Sequence, residues 1–115
     1  MKGHGPHGEI FCPVHATLNL LSARWTLHII HCLMEGKKRF NEIARANGIN
    51  PRTLSERLRY LEEQGVVTRH VISTIPPNVE YELTPKGHAL QCVIGDLADW
   101  GRTWMKKPTE EPAAR

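Results

Sequence analysis

Apolar residues between positions 50 and 64 recur with the period of an α-helix that has one buried face. Leu54, Leu58 and Leu61 stand at i, i+4 and i+7, so they form one stripe along the helix. Asn50 is a favourable N-cap, and Pro51 suits the first helical position, where a missing N–H costs nothing. The pattern therefore predicts a helix that begins abruptly at Pro51.

A shorter helix precedes it, so that residues 37–64 read as helix, turn, helix. Ile43 and Ala46 supply an apolar edge to this first helix. Asn47 and Gly48 tolerate the left-handed conformation with which helices commonly end. We expect the two helices to be joined by a tight turn.

The period changes from helical to alternating after Gly65. Residues 66–73 are rich in β-branched side chains, and 75–78 are a proline-containing turn. Val79, Tyr81 and Leu83 then alternate with polar residues. A β-hairpin, or wing, is the predicted structure.

Two helices are predicted before this central part of the chain. The first opens at Cys12 and Pro13 and ends near Ser22. The second covers 24–35 and is closed by Gly36, with Trp25, Ile29, Ile30, Leu33 and Met34 on its apolar side. We expect both helices to act as scaffold, with His28 and His31 as partly exposed polar residues.

One last helix is predicted from Thr84 and Pro85 onward, by the same cap and first-turn proline. Its apolar residues follow a spacing of three and four, which is typical of a seam between helices. This seam is longer than a small domain needs for its own core, so we expect a homodimer. The residues predicted at the dimer interface are Val14, Leu18, Leu90, Val93, Leu97, Trp100 and Trp104.

The polar side of the helix that begins at Pro51 carries the candidate chemistry. At about 100° per residue, Arg52, Glu56, Arg59 and Tyr60 lie on its outward face. Arginine side chains beside other hydrogen-bonding groups are what a helix in the major groove requires. A solvated amphipathic helix is the simpler alternative, but a helix-turn-helix followed by a hairpin is a specific combination. We expect this helix to read double-stranded DNA.

Composition and charge agree with a soluble DNA-binding protein. Hydrophobic residues make up 40% and charged residues 23%, and the net charge is +3. Residues 36–70 hold eight Lys or Arg against four Glu, so the positive charge follows the predicted helix-turn-helix. The absence of long apolar runs and of a secretory signal predicts no membrane association and a cytoplasmic location. We expect no enzymatic activity and no cofactor, since no catalytic motif is present.

Six blocks of sequence, in order, resemble the HxlR-type winged helix-turn-helix transcriptional regulators, relatives of the MarR group. The blocks are CPV at 12–14, RWTLHII at 24–30, RFNEI at 39–43, INPRTLSERLRYLEEQGVV at 49–67, PPNVEYELTPKG at 76–87 and DLADW at 96–100. The resemblance implies a mainly α fold with a small β-hairpin (α+β), and additional N- and C-terminal dimerisation helices. Chain length and composition predict one domain over 10–105, between a flexible arm at 1–9 and a flexible tail at 106–115.

The resemblance carries over Arg52, Thr53, Glu56, Arg57 and Arg59 as candidate DNA contacts. The predicted DNA-binding residues also include Lys38, Arg39, Asn50, and Arg69 and His70 of the wing. The predicted two-fold dimer implies a pseudo-palindromic operator. Asn78 stands where relatives often have a basic residue, which reduces the phosphate-binding charge expected at the wing tip.

Cys12 matches the cysteine that resembles a redox switch in thiol-sensing members of the family. It precedes Pro13 at a helix start, where free N–H groups and the helix dipole favour the reactive thiolate. The alternative is a structural cap residue inherited with the fold. Cys32 and Cys92 lie among apolar neighbours, and we expect them to be inert core thiols.

Other kinds of regulation stay open from the sequence. His4, His7, Cys12 and His15 have spacings that a transition metal could use, although the glycine-rich arm is poorly preorganised. A small-molecule effector is equally compatible with the fold. A winged-helix module for protein interaction is the alternative of a different class, and a weak dependence of affinity on salt would distinguish it from DNA binding.

Overall fold

Helices form most of the computed structural model, which describes residues 11–106, and a small antiparallel sheet packs beside them. The helices are α1 (Pro13–Leu21), α2 (Thr26–Leu33), α3 (Phe40–Asn47), α4 (Pro51–Glu63), α5 (Pro85–His88) and α6 (Gln91–Trp104). The strands are β1 (Lys38–Arg39), β2 (Val67–Thr74) and β3 (Pro77–Leu83). The element order confirms the predicted winged helix-turn-helix fold.

Residues from α2, α3, α4 and the sheet close around one hydrophobic core. The apolar side chains with at most 2% exposure are Ile29, Ile30, Leu33, Ile43, Leu54, Leu58, Leu61, Val66 and Val67. The predicted stripe of α4 is thus fully buried, and α4 can turn only its polar residues outward.

The turn between α3 and α4 follows from local chemistry. Gly48 takes the left-handed conformation at φ 65°, and the Ile49 N–H then donates to the Ala44 carbonyl at 3.0 Å. Ile49 is buried at 4% exposure. The predicted apolar edge of α3 was wrong in one residue, because Ala46 is exposed and Ala44 packs on the core beside Ile43.

The sheet has three strands in the order β1-β3-β2, one more than the predicted hairpin. In β3, Tyr81 and Leu83 are buried, as the alternation predicts. The strand β1 pairs Lys38 with Tyr81 and Arg39 with Glu80. A strand of two residues leaves no periodic pattern in sequence, so only its pairing with β3 reveals it.

The helix α2 begins two residues later than predicted. Trp25 adopts a left-handed conformation at φ 76°, which ends the turn after α1 and places Thr26 at the first helical position. Such a conformation costs a residue with a large side chain about 1–3 kcal/mol, so the surrounding contacts must hold it.

The predicted last helix is interrupted after its first turn. Thr84 Oγ1 accepts a hydrogen bond from the Gly87 N–H at 3.1 Å, which confirms the predicted start. The Leu90 N–H donates to the Gly87 carbonyl, three residues back rather than four, and separates α5 from α6. Gly87 itself lies so close to the sheet that a Cβ there would be 2.3 Å from the Val66 carbonyl oxygen.

The terminal segments predicted to be flexible, 1–9 and almost all of 106–115, lie outside the described residues. Within residues 11–106, every helix is too short or too polar to cross a lipid bilayer.

Candidate nucleic-acid interface

The start of α4 is held by the side chain of its N-cap residue. Asn50 Oδ1 accepts hydrogen bonds from the Arg52 N–H at 2.8 Å and from the Thr53 N–H at 3.4 Å. Pro51 occupies the first helical position, as predicted. The amide oxygen of Asn50 is therefore engaged inside the chain, where it fixes the first turn of the helix.

The outward face of α4 presents the predicted polar side chains to solvent. Arg52, Glu56 and Arg59 are exposed, whereas Tyr60 is half-buried. Arg52 Nε lies 3.8 Å from Glu56 Oε2, and the two side chains are 89% and 52% exposed. An exposed pair one turn apart is weak, so a guanine or a phosphate can displace it.

Thr53 and Arg57 lie on the flank of α4, where both are half-buried. Arg57 Nε donates a hydrogen bond to the Arg24 carbonyl at 2.8 Å. The structure thus places Arg57 beside the outward arginines but attaches it to the turn before α2.

The wing carries its cations at its base and not at its tip. Arg69 is exposed on β2, and His70 Nε2 lies 3.0 Å from Glu82 Oε1 on β3. From Val71 to Val79 the sequence has no charged residue, and Ile75 at the tip is 90% exposed. Contacts to phosphate are therefore available at Arg69, but the tip itself has no charge to offer.

The short strand β1 places two further candidate residues beside the wing. Lys38 Nζ donates to Glu35 Oε1 at 2.8 Å. This hydrogen bond raises the pKa of Lys38 and lowers the pKa of Glu35. Arg39 is exposed, and its backbone N–H donates to Glu42 Oε1 at 2.7 Å, which caps α3.

A cleft between α3 and β3 adds an arginine that the sequence did not single out. Arg39, Arg45 and Asn78 line this cleft, whose volume is about 290 Å³. Arg45 was missed because its position on α3 resembles an ordinary solvated one. Only the proximity of α3 to the wing brings Arg45 near the other cations.

Cys12 is the N-cap of α1, as predicted. Its Sγ accepts a hydrogen bond from the His15 N–H at 3.4 Å, and the residue is half-buried. Cys32 is partly buried against the core, but Cys92 is exposed, so its prediction as a core thiol was wrong. On α6, Ile94 and Leu97 lie beside Leu27 and His28 of α2, and Cys92 lies on the opposite side of the helix from Ile94. Among the described residues, no three His, Cys, Asp or Glu side chains are grouped as metal ligands, and His4 and His7 fall outside them.

The residues predicted at the dimer interface form an exposed apolar surface on α1 and α6, which we call the terminal-helix surface. Val14, Leu18, Val93 and Leu97 line a groove of about 530 Å³ within it. Trp100 and Trp104 continue the surface along α6 and are 59% and 69% exposed. Leu90 differs from the others because it packs partly against the core of its own chain.

Comparison with known proteins identifies the family to which this chain belongs. Residues 20–109 match the HxlR-like helix-turn-helix family. The chain belongs to this family. YdeP of Bacillus subtilis (strain 168), an uncharacterized HTH-type transcriptional regulator, is 40% identical over 105 residues, which is 90% of this chain and 82% of YdeP. The family and its relatives are transcriptional regulators and not enzymes.

Two relatives of known structure share the fold, and their structures are of defined redox or ligand-bound states. YodB, an HTH-type transcriptional regulator of the same strain, is 42% identical over 81% of this chain and 85% of YodB. Its reduced form aligns with a TM-score of 0.74 over 87% of this chain and 100% of that chain. A quinone-bound form of YodB is also known. The redox regulator HypR in its reduced form is 38% identical and has a TM-score of 0.75, covering 80% of this chain and 92% of HypR.

Proposed function

We propose that this HxlR-family regulator binds DNA sequence-specifically as a homodimer and that modification of Cys12 changes its DNA affinity. The observation that carries the proposal is the division of α4 into two faces. Leu54, Leu58 and Leu61 are buried, and Arg52 and Arg59 are exposed on the other side. A capped helix anchored in this way offers its arginines to a groove without loss of core packing.

Recognition would proceed through the major groove. The guanidinium groups of Arg52 and Arg59 can each form two hydrogen bonds with guanine O6 and N7. Arg69 on the wing, together with Arg39 and Arg45 beside it, would contact phosphates and set the register of the protein on the duplex. In this arrangement, base contacts from α4 supply sequence specificity, and phosphate contacts from the arginines on and beside the wing supply sequence-independent affinity.

Dimerisation would use the terminal-helix surface. A two-fold dimer pairs the same surface of both copies, so the exposed apolar side chains of one chain cover those of the other. The two copies of α4 would then lie about 34 Å apart, one turn of DNA, on a pseudo-palindromic operator.

Cys12 suits a switch because its sulfur is part of the structure of α1. The Sγ caps the helix through the His15 N–H, and α1 carries Val14 and Leu18 of the terminal-helix surface. With peroxide, the thiolate sulfur attacks one oxygen, the O–O bond breaks to give sulfenic acid and hydroxide, and the hydroxide takes up the proton lost by the thiol to become water. With a quinone, the thiolate sulfur adds to a ring carbon, the ring electrons move to a quinone oxygen, and that oxygen takes up the proton lost by the thiol. Either product enlarges the cap and would alter the packing of α1.

Selection of binding sites from random duplex DNA tests the proposal, with reduced wild type, quinone-treated wild type and Cys12→Ser in parallel. We expect reduced wild type and Cys12→Ser to select the same pseudo-palindrome, because serine also caps a helix. Treatment should change the affinity of wild type and leave Cys12→Ser unchanged. Enrichment of no sequence would reject DNA reading, and an equal response of both proteins would reject Cys12 as the switch.

A further inference from the structure

A hydrogen bond joins the middle of α4 to a turn 33 positions earlier in the chain. Arg57 Nε donates to the carbonyl oxygen of Arg24 at 2.8 Å. Arg24 belongs to residues 22–25, the corner between α1 and α2. Through this bond, the helix that faces DNA is attached directly to that corner.

The corner offers a well-defined acceptor. Trp25 is held at φ 76°, a conformation that non-glycine residues rarely adopt. The Arg24 guanidinium carbon lies 4.9 Å from the centre of the Trp25 ring, and the His28 ring meets the same indole edge-on at 5.1 Å. Thr26, which follows, is completely buried. These contacts restrict the backbone, so the Arg24 carbonyl has a defined direction.

The hydrogen bond adds a constraint on α4 that burial of its leucine stripe does not supply. Burial of Leu54, Leu58 and Leu61 decides which face of α4 turns outward, but apolar contacts are not directional and permit small rotations about the helix axis. A hydrogen bond requires alignment of donor and acceptor, so it limits rotation of α4 about its own axis. Rotation is the motion that would turn Arg59 away from a base edge.

Arg57 also differs from the neighbouring arginines in its exposure. Arg52 is 89% exposed in its side chain, whereas Arg57 is half-buried and its Nε is already engaged. We propose that Arg57 is a positioning residue, which sets the rotation of α4 through the Arg24 carbonyl and does not itself contact DNA. The proposal rests on the DNA-binding function proposed above and removes Arg57 from the predicted DNA contacts.

Glutamine provides a discriminating substitution. Its amide nitrogen stands the same number of bonds from Cα as the Nε of arginine and can donate the same hydrogen bond, but it carries no charge. Operator affinity should be measured over a range of salt for wild type, Arg57→Ala, Arg57→Gln and Arg59→Gln. Amide hydrogen exchange over residues 22–29 should be followed in the same proteins without DNA.

We expect Arg57→Ala to weaken operator binding about 3- to 10-fold, the effect of one lost hydrogen bond. Its salt dependence should match wild type, and exchange in the corner should become faster. Arg57→Gln should retain wild-type affinity and exchange. Arg59→Gln should lose affinity with normal exchange, and its salt slope should fall by about 1 if it contacts phosphate.

Two results would overturn the proposal. One is an Arg57→Gln protein that behaves as Arg57→Ala does, with the salt slope lowered by about 1, since this identifies a phosphate contact. The other is wild-type affinity and exchange in Arg57→Ala. A wild type that selects no DNA rejects the proposed function instead. In that case, faster corner exchange in Arg57→Ala still supports the link to α4, and unchanged exchange rejects it.

Discussion

The helices α4 and α6 carry similar apolar stripes, but the stripe of α4 is buried and the outer part of the α6 stripe is exposed. On α4, Leu54, Leu58 and Leu61 are 0–1% exposed. On α6, Leu97 is 52% and Trp100 is 59% exposed. The stripe of α4 meets the core of its own chain, whereas the outer part of the α6 stripe stays more than half exposed within the described residues.

This difference shows how much an amphipathic pattern predicts. An apolar stripe indicates that one face of a helix is stabilised by burial, with a free energy gain of about 1.5–3 kcal/mol for each large side chain. It does not say whether the covering surface belongs to the same chain. The four predictions that follow test the assignment of α4 to the core and of α6 to a partner, from the largest expected effect to the smallest.

Truncation of one leucine in each helix should separate the two roles. Leu58→Ala removes a fully buried side chain, so we expect the free energy of unfolding to fall by about 2–5 kcal/mol. The loss should appear at every protein concentration in urea titrations. In the proposed dimer a second copy covers the exposed part of Leu97, so Leu97→Ala should lower the midpoint mainly where the protein is dimeric. Equal, concentration-independent losses would contradict the comparison.

A charge in the middle of the α6 stripe should break the dimer. We expect Trp100→Glu to weaken dimerisation by about 2 kcal/mol or more, which is roughly a 30-fold or larger increase in Kd. Sedimentation equilibrium measures this directly. Gln91→Glu introduces the same charge on the opposite side of α6 and should leave the Kd unchanged. A monomeric wild type at micromolar concentration would refute the assignment of α6 to a partner.

Loss of an outward arginine from α4 should affect binding and not folding. Arg52→Ala and Arg59→Ala should each weaken specific DNA binding by about 1–3 kcal/mol if the contact is to a base edge. Thermal melting should match wild type because both side chains are exposed. Unchanged operator affinity in both variants would exclude the outward face of α4 from the interface.

The helices α4 and α6 also differ in how they begin, and this difference is expected to have the smallest effect of the four. The first turn of α4 depends on the Asn50 side chain, whereas α6 starts at Leu90 without a side-chain cap. We expect Asn50→Ala to cost about 1 kcal/mol in unfolding free energy, and Asn50→Ser to retain most of it. If the role of Asn50 were only to contact DNA, both variants would melt as wild type does.

Much of the central region could be predicted from sequence because local chemistry determines it. The Asn50 and Pro51 start signals, the stripe of three leucines and the left-handed Gly48 each act within a few residues. The structure confirms all three. Side-chain period also correctly predicted the exposure of Arg52 and Arg59, because angle around a helix axis follows directly from position in the sequence.

Several of the features that sequence missed depend on segments brought together from far apart in the chain. The exposure of Cys92 depends on which side of α6 meets α2, and its apolar neighbours in sequence do not reveal that. Gly87, in the turn of helix before the break, lies against the Val66 carbonyl, 21 positions away in sequence. The two-residue strand β1 exists only because β3 returns beside it.

By itself, the sequence determined the helix-turn-helix, the wing, the faces of α4 and the family. Only the tertiary structure decided that Arg57 is tied to Arg24, that Arg45 joins Arg39 beside the wing, and that the outer part of the α6 stripe stays uncovered. The physical reason is the range of the forces involved. Caps, turns and periodicity act between residues a few positions apart, whereas a hydrogen bond across 33 positions depends on the packed core that holds its two ends together.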